Sequence, residues 1–108
     1  MEGVAHIAQR RGAINLGGLD FQSIRLVYLC AELGCLSAAA RACNISLSAA
    51  SHRLTNLEKA FKTRLFRRDN LGLRLTDAGM LFCSHARTIL LTMYSAEQQL
   101  IALSGAHE

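Results

Sequence analysis

Ser51 and His52 stand side by side in a sequence of 108 residues, a hydroxyl next to an imidazole. On a helix, successive side chains point about 100° apart, so these two cannot form a nucleophile–base pair with each other. The sequence also offers no Gly-rich phosphate loop, no paired-carboxylate site and no metal-ligand cluster, and an enzyme is not expected. Cys30, Cys35, Cys43 and Cys83 raise the question of disulfides or zinc. None belongs to a Cys-x-x-Cys pair, and His6, His52, His85 and His107 show no ligand spacing near them. Each cysteine lies in an apolar run or where a small core residue would serve. That predicts reduced, buried thiols in a cytoplasmic protein, with no metal and no cofactor. The chemistry that remains is hydrogen bonding and charge.

The charge is unevenly spread. Twelve basic and eight acidic residues give a net +4. Residues 41–74 hold eight of the basic residues against only Glu58 and Asp69, while the segments on either side are neutral or slightly acidic. Positive charge gathered in one third of a small domain points to an anionic partner, most often nucleic acid. The plainer alternative is a solvated basic surface. Composition bounds the rest: 51% hydrophobic and 19% charged residues exclude a disordered tail, and the length suits one domain. With no Pro, no Trp and 6% aromatics, helices are favoured over a β-sandwich. The longest apolar run, Leu26 to Ala31, falls far short of the roughly 20 residues a membrane span needs. Residues 1–18 lack the apolar stretch of a signal peptide.

Local signals divide the chain into an arm (1–18), a folded unit (19–76) and a long helix (77–108). The arm carries four glycines and no sustained periodicity, so it reads as flexible, with some helix around Val4 to Arg10. Asp20 is a good N-cap, and Leu19 and Ile24 suit a hydrophobic staple. Phe21, Ile24, Val27, Tyr28 and Ala31 then repeat at helical spacing until Gly34 stops the helix. Ser37 is expected to cap a short Ala-rich helix, Ala38 to Cys43. Asn44-Ile45-Ser46 forms a tight turn, with Ser46 capping a helix from Leu47 to Phe61. Ala50, Leu54, Leu57 and Phe61 make one face of that helix. Ser48, His52, Thr55 and Lys59, flanked by Ser51, Asn56 and Lys62, make the opposite one. Leu65-Phe66-Arg67-Arg68 and Leu73-Arg74-Leu75 then flank a turn containing Asn70 and Gly72. This is a small β-hairpin with Leu73 and Leu75 facing in and Arg74 facing out. Thr76 caps the last helix, and Gly79 is tolerated in its first turn.

Two helices joined by a short turn, the second with an all-polar outer face, describe a helix-turn-helix, and the Arg-bearing hairpin resembles a wing beside it. The small residues Ser48, Ala49 and Ser51 would let the second helix approach a groove closely, with Ser46 and Leu47 beside them at the DNA, while His52, Thr55 and Asn56 could read base edges. Lys59, Lys62 and Arg64 suit phosphates, as do Arg68 and Arg74 on the hairpin, and Thr76 adjoins them. The alternatives are a plain three-helix bundle, a winged-helix protein–protein adaptor, or a sequence-independent architectural DNA binder.

The segments Ser37-Ala38-Ala39-Ala40, Asn44 to Ser51, and Leu54 with Leu57-Glu58 resemble the helix-turn-helix of LysR-type transcriptional regulators. Leu65-Phe66-Arg67-Arg68 and Leu73-Arg74-Leu75-Thr76-Asp77-Ala78-Gly79 resemble that family's wing and the start of its linker helix. The likeness runs in order over about residues 19–103. It implies a mostly α fold, a winged helix-turn-helix followed by a dimerising helix. It further implies binding to an interrupted inverted repeat in promoter DNA. Positions matching Leu47, Ser48, Ser51 and His52 would lie at the DNA, and those matching Arg68 and Arg74 would support backbone contact in the wing. Leu47, Ser48, His52 and Leu71 replace the residues usual in the family, so no base preference is carried over. A small-molecule effector would act only through a domain that follows the linker helix and is not expected in these residues.

The long helix supports pairing on its own terms. Phe82, Ala86, Ile89, Met93, Ala96, Leu100 and Leu103 recur at alternating spacings of four and three, the stripe of a helix–helix seam. A small domain cannot cover about 43 Å of helix, at 1.5 Å per residue, with its own core. A homodimer through this stripe is the expectation. The alternative is that Phe82 to Ile89 pack on the first helix and the remainder frays.

Overall fold

The computed structural model describes residues 3–9 and 19–105. Within them the order is α1 (Gly3–Gln9), α2 (Phe21–Leu33), α3 (Leu36–Ala42), α4 (Leu47–Phe61), β1 (Phe66–Asp69), β2 (Gly72–Leu75) and α5 (Asp77–Gly105). Three helices, a two-stranded antiparallel wing and a long closing helix make a winged helix-turn-helix. Most of the expected flexible arm, residues 1–2 and 10–18, lies outside the described residues, and α1 is the part of it that is described.

Helix α2 begins and ends at the residues its sequence marks. Asp20 accepts the Ser23 N–H at 2.8 Å, and Gly34, in the left-handed region, donates its N–H to the Cys30 carbonyl. Its buried face is not the expected stripe, however. Ser23, Leu26, Val27 and Cys30 are buried, while Phe21 is 45% exposed. The reason lies in α2's surroundings: α3, α4, α5 and β2 all pack on it, so several sides are covered and the most regular apolar stripe does not mark the centre. Ile24 instead faces Phe82, Ala86 and Ile89 of α5 across a small apolar cleft.

Helix α3 starts two residues earlier than expected. Cys35, not Ser37, is its N-cap, because the chain leaves the left-handed Gly34 directly into the extended conformation of Cys35. Cys35 is consequently exposed, against the expectation of four buried thiols. The amides of Ala38 and Ser37 hold its thiol below the ordinary range. Cys30 and Cys43 are buried and Cys83 half-buried. Burial pushes the Cys30 thiol up to about 12.

Asn44, at φ 59°, makes the turn into α4, where Ser46 Oγ accepts the Ala49 N–H at 3.0 Å. The buried side of α4 is Ala50, Leu54 and Leu57, as its periodicity predicts, with Glu58 added. These residues join Leu26, Val27, Cys30, Ala39, Ala40, Cys43, Leu65 and Phe66 in one core. The fully buried alanines Ala39 and Ala50 let α3 and α4 approach closely.

The wing is tied down at three points. The Gly34 carbonyl accepts the Leu73 N–H at 3.2 Å, and a Cβ on Gly72 would come within 2.5 Å of that same carbonyl oxygen. Thr76 donates its N–H to the Leu65 carbonyl and its hydroxyl to the Arg64 carbonyl, and its Oγ1 accepts the Gly79 N–H to cap α5. Gly79 is more than tolerated. A Cβ there would meet the Leu65 carbonyl oxygen and the Leu75 side chain at contact distances no side chain adopts. Gly79→Ala should therefore destabilise the domain by about 1–3 kcal/mol, although alanine is the better helix former, because α5 must shift away from the wing. Urea denaturation of the two proteins measures this; equal or greater stability of the substituted protein would show that the contact relaxes freely.

Candidate nucleic-acid interface

The polar face of α4 is bare from end to end. Ser46, Leu47, Ser48, Ala49, His52, Asn56, Lys59 and Lys62 are exposed, and Ser51 and Thr55 half-buried. On this face Asn56 Nδ2 donates to His52 Nε2 at 3.0 Å, which places the neutral ring's proton on Nδ1. The pair lies one turn apart, and each side chain restricts the rotamers of the other. The helix has one acid, Glu58, and it is buried. None of the exposed residues of α4 carries a negative charge.

Beyond His52 the face becomes a basic groove. Thr55, Lys59, Lys62, Thr63, Arg64 and Arg68 line it, with the largely buried Glu58 at its base, so α4 and the wing form one surface. A second open cleft, between the wing and the start of α5, is lined by Arg64, Arg67, Arg68, Arg74 and Thr76, among others. Arg64 and Arg68 border both. Lys62 caps α4 in the left-handed conformation, at φ 57°, where glycine is the usual residue. The chain thus holds a cation at the groove at the cost of local backbone strain.

The structure brings together the expected phosphate-type residues Lys59, Lys62, Arg64, Arg68, Arg74 and Thr76 around these two clefts, with the base-reading candidates on the N-terminal half of α4. It also sorts the basic residues in a way their number does not. Arg53 Nη1 lies 3.3 Å from both Asp20 carboxylate oxygens and 3.2 Å from Ser23 Oγ, which clamps α4 to the start of α2. Burial raises the Asp20 carboxyl, but the Ser23 and Arg53 hydrogen bonds outweigh it and hold the group below its ordinary range. Arg74 Nε is 3.3 Å from Asp69 Oδ2. The hairpin register pairs Arg67 with Arg74 and Arg68 with Leu73. Opposed residues share a face, so Arg67, and not Arg68, stands beside Arg74 on the outer side of the wing. Arg68 points to the side of Leu73 and Phe66, toward the groove along α4.

The residue that places the wing was missed as a site residue. Glu58 Oε2 accepts the Leu65 N–H at 2.7 Å and the Phe66 N–H at 3.2 Å, while Oε1 lies 3.6 Å from Arg64 Nε. Its signal was available: on the helical wheel Glu58 falls about 40° from Leu54, inside the buried arc. A carboxylate there must find donors, and the orphan amides after α4 provide them.

The comparisons with known proteins agree on what such a chain is. Residues 21–80 match the family described as bacterial regulatory helix-turn-helix protein, lysR family. The chain belongs to the lysR family. It is 51% identical over 49 residues to the probable HTH-type transcriptional regulator SinR of Salmonella typhimurium, a match covering 45% of this chain and 16% of that protein. It is 37% identical over 79 residues to the HTH-type transcriptional regulator GbpR of Rhizobium radiobacter, covering 71% of this chain and 26% of that one. The matched regions are thus about a quarter or less of these relatives' length. Among solved structures it is similar to the CbnR_DBD–DNA complex, with a TM-score of 0.67 and 29% identity over 79% of this chain and 99% of the other. The BenM_DBD complex with catB site 1 DNA matches at a TM-score of 0.72 and 19% identity, over 80% of this chain and 97% of that one, and shares the fold. Among the described residues no helix is long and apolar enough to cross a membrane.

In this lysR-family domain the wing should loosen when its buried acceptor is removed. Glu58→Ala leaves two backbone donors unsatisfied, at about 1–3 kcal/mol each, whereas Glu58→Gln retains one acceptor oxygen and should cost less. Hydrogen exchange should show the loss first at Leu65 and Phe66. Unchanged protection of those two amides in the alanine variant would refute the assignment.

Proposed function

We propose that this chain binds double-stranded DNA sequence-specifically, as a homodimer, and is the DNA-binding part of a lysR-type transcriptional regulator. The observation that carries the proposal is the polar face of α4, whose exposed residues include no acid, continuous with the arginine-bearing wing. A major groove about 12 Å wide admits such a helix. Ser48, Ser51, His52 and Asn56 then lie over base edges, and Leu47 is 51% exposed where it can meet a thymine methyl. Lys59, Lys62, Arg64, Arg68 and Arg74 meet phosphates, while Thr76, Ser46 and Ala49 hold the backbone at the two ends of the surface. The related CbnR_DBD and DarR structures were solved with DNA, which supports this reading. The relatives SinR and GbpR are named as transcriptional regulators, which supports a reading without catalysis. Any effector response belongs to a region outside these residues.

His52→Ala should cost roughly 1–3 kcal/mol on a duplex selected by the parent protein from a random pool, and little on mixed-sequence duplex at the same salt. The substitution also removes Asn56's partner, so Asn56→Ala should cost less in the His52→Ala background than alone. Equal losses on selected and mixed duplexes would move His52 from base reading to general binding, and equal preference for both by the parent would favour an architectural binder.

Dimerisation rests on α5. Of its apolar stripe, Ala86 is buried within the chain and Phe82 packs edge-on against Phe61, at 6.1 Å between ring centroids. Those two residues complete the monomer's own core. Ile89, Met93, Leu100 and Leu103 are exposed, as is Ala96. The pairing surface therefore runs from Ile89 to Leu103, and a second copy of the same helix is its occupant, because a two-fold axis matches one stripe with itself and presents two recognition helices to two half-sites. Met93→Glu should leave the monomer folded, since Met93 is 44% exposed. It should yield a monomer in sedimentation, with affinity for an inverted repeat falling toward that for a half-site. A parent chain that is monomeric at tens of micromolar yet binds the full repeat tightly would refute the dimer.

A further inference from the structure

We propose that Asp69 and Arg67 set how the wing discriminates among duplexes. Asp69 acts as a brake through Arg74, and Arg67 is the wing's uncommitted phosphate contact. The proposal rests on the DNA-binding reading above.

Strand register places these residues together. Arg67 lies directly opposite Arg74, and Asp69, two residues on from Arg67, falls on the same outer face. Two like charges opposed across strands repel, and Asp69 relieves that repulsion on one side only. Its Oδ2 sits 3.3 Å from Arg74 Nε, while its Oδ1 accepts the Leu71 N–H at 2.8 Å. The second bond belongs to the turn at the wing tip and holds the carboxylate in place beside Arg74. Arg67 is exposed, and its side chain makes no hydrogen bond or ion pair among the described residues. The outer face of the wing therefore carries one guanidinium with no carboxylate neighbour and one whose Nε faces Asp69.

That asymmetry has consequences for binding. A phosphate reaching Arg74 must either displace the carboxylate at Nε or bind the Nη groups while standing close to it. On a duplex that α4 seats in register, the phosphate is delivered to a fixed position and the exchange is offset by the contacts around it. On a mixed-sequence duplex there is no such seat, and the carboxylate competes well. Asp69 thus lowers affinity for mixed duplex more than for the seated one, while Arg67 contributes to both alike.

Asp69→Asn tests this without disturbing the turn, because the amide oxygen can still accept the Leu71 N–H. Binding is measured to mixed-sequence duplex and to a duplex selected by the parent protein, each over a salt titration. Asp69→Asn should raise affinity for mixed duplex by about two- to fivefold, the range of an exposed ion pair, and for the selected duplex by less. In an Arg74→Ala background the same change should give a smaller gain, because the brake has lost its lever. Arg67→Ala should weaken both duplexes equally and reduce the salt slope by about one. Equal gains from Asp69→Asn with and without Arg74 would overturn the brake and leave Asp69 a bare charge. An unchanged salt slope in Arg67→Ala would remove Arg67. A parent protein whose duplex binding has no salt dependence would instead overturn the DNA-binding reading itself.

Discussion

One buried carboxylate holds the functional surface in a single piece. Glu58 sits on the core side of α4, and its Oε2 accepts the Leu65 and Phe66 amides at the entry to the wing. A buried acid is expensive unless it is satisfied, and unpaired amides at a chain reversal are expensive for the same reason. Each resolves the other. The consequence is geometric: the hairpin leaves α4 at a defined place, so that Arg64 and Arg68 stand in line with Lys59 and Lys62. The remaining ties act on a wing already positioned. Gly34 reaches it from the end of α2 through its carbonyl, and Thr76 from the start of α5 through its amide and hydroxyl. Glycine is required at 72 and 79 because backbone carbonyls occupy the space a Cβ would fill.

The basic residues fall into two populations that composition cannot separate. Arg53 is committed to Asp20 and Ser23, Arg25 donates to the Ala42 carbonyl, and Arg64 and Arg74 have carboxylate neighbours. The side chains of Lys59, Lys62, Arg67 and Arg68 have no such partner among the described residues and line the two clefts. A small domain has little core to spend on rigidity, and ion pairs between helices serve as clamps where alanines fill the interior. Charge counting therefore overstates how much of that charge is free.

The long helix serves two purposes along its length. Its first part completes the core through Ala86, Phe82 and Gly79. From Leu91 onward every described residue is exposed. A continuous helix transmits the orientation of the first part to the second, because its hydrogen-bonded ladder resists bending where neither Pro nor a bulge interrupts it. Whatever covers the distal stripe is thereby held in a fixed relation to α4.

The local elements were legible in the chain because their signals are local. Asp20, Ser46 and Thr76 cap helices through side chains that reach no farther than three residues, Gly34 stops α2, and the spacing of Ala50, Leu54 and Leu57 marks the core face of α4. The wing, the long α5 and the location of the basic surface followed from the same kind of evidence. What the sequence left open depends on neighbours distant in the chain. The buried side of α2 was decided by four elements packing around it. Cys35 became an exposed cap because Gly34 turns the chain just before it. The pairing of Arg53 with Asp20, across 33 positions, and the commitment of Glu58 to the wing appear only once the helices have packed. Strand register decided that Arg67 shares Arg74's face while Arg68 turns toward the groove, since a shift of one residue would exchange their sides. Periodicity and caps are set by bonds within a few residues, so sequence alone determined the elements; which charges remain free is set by distances between elements, and only the tertiary structure could decide that.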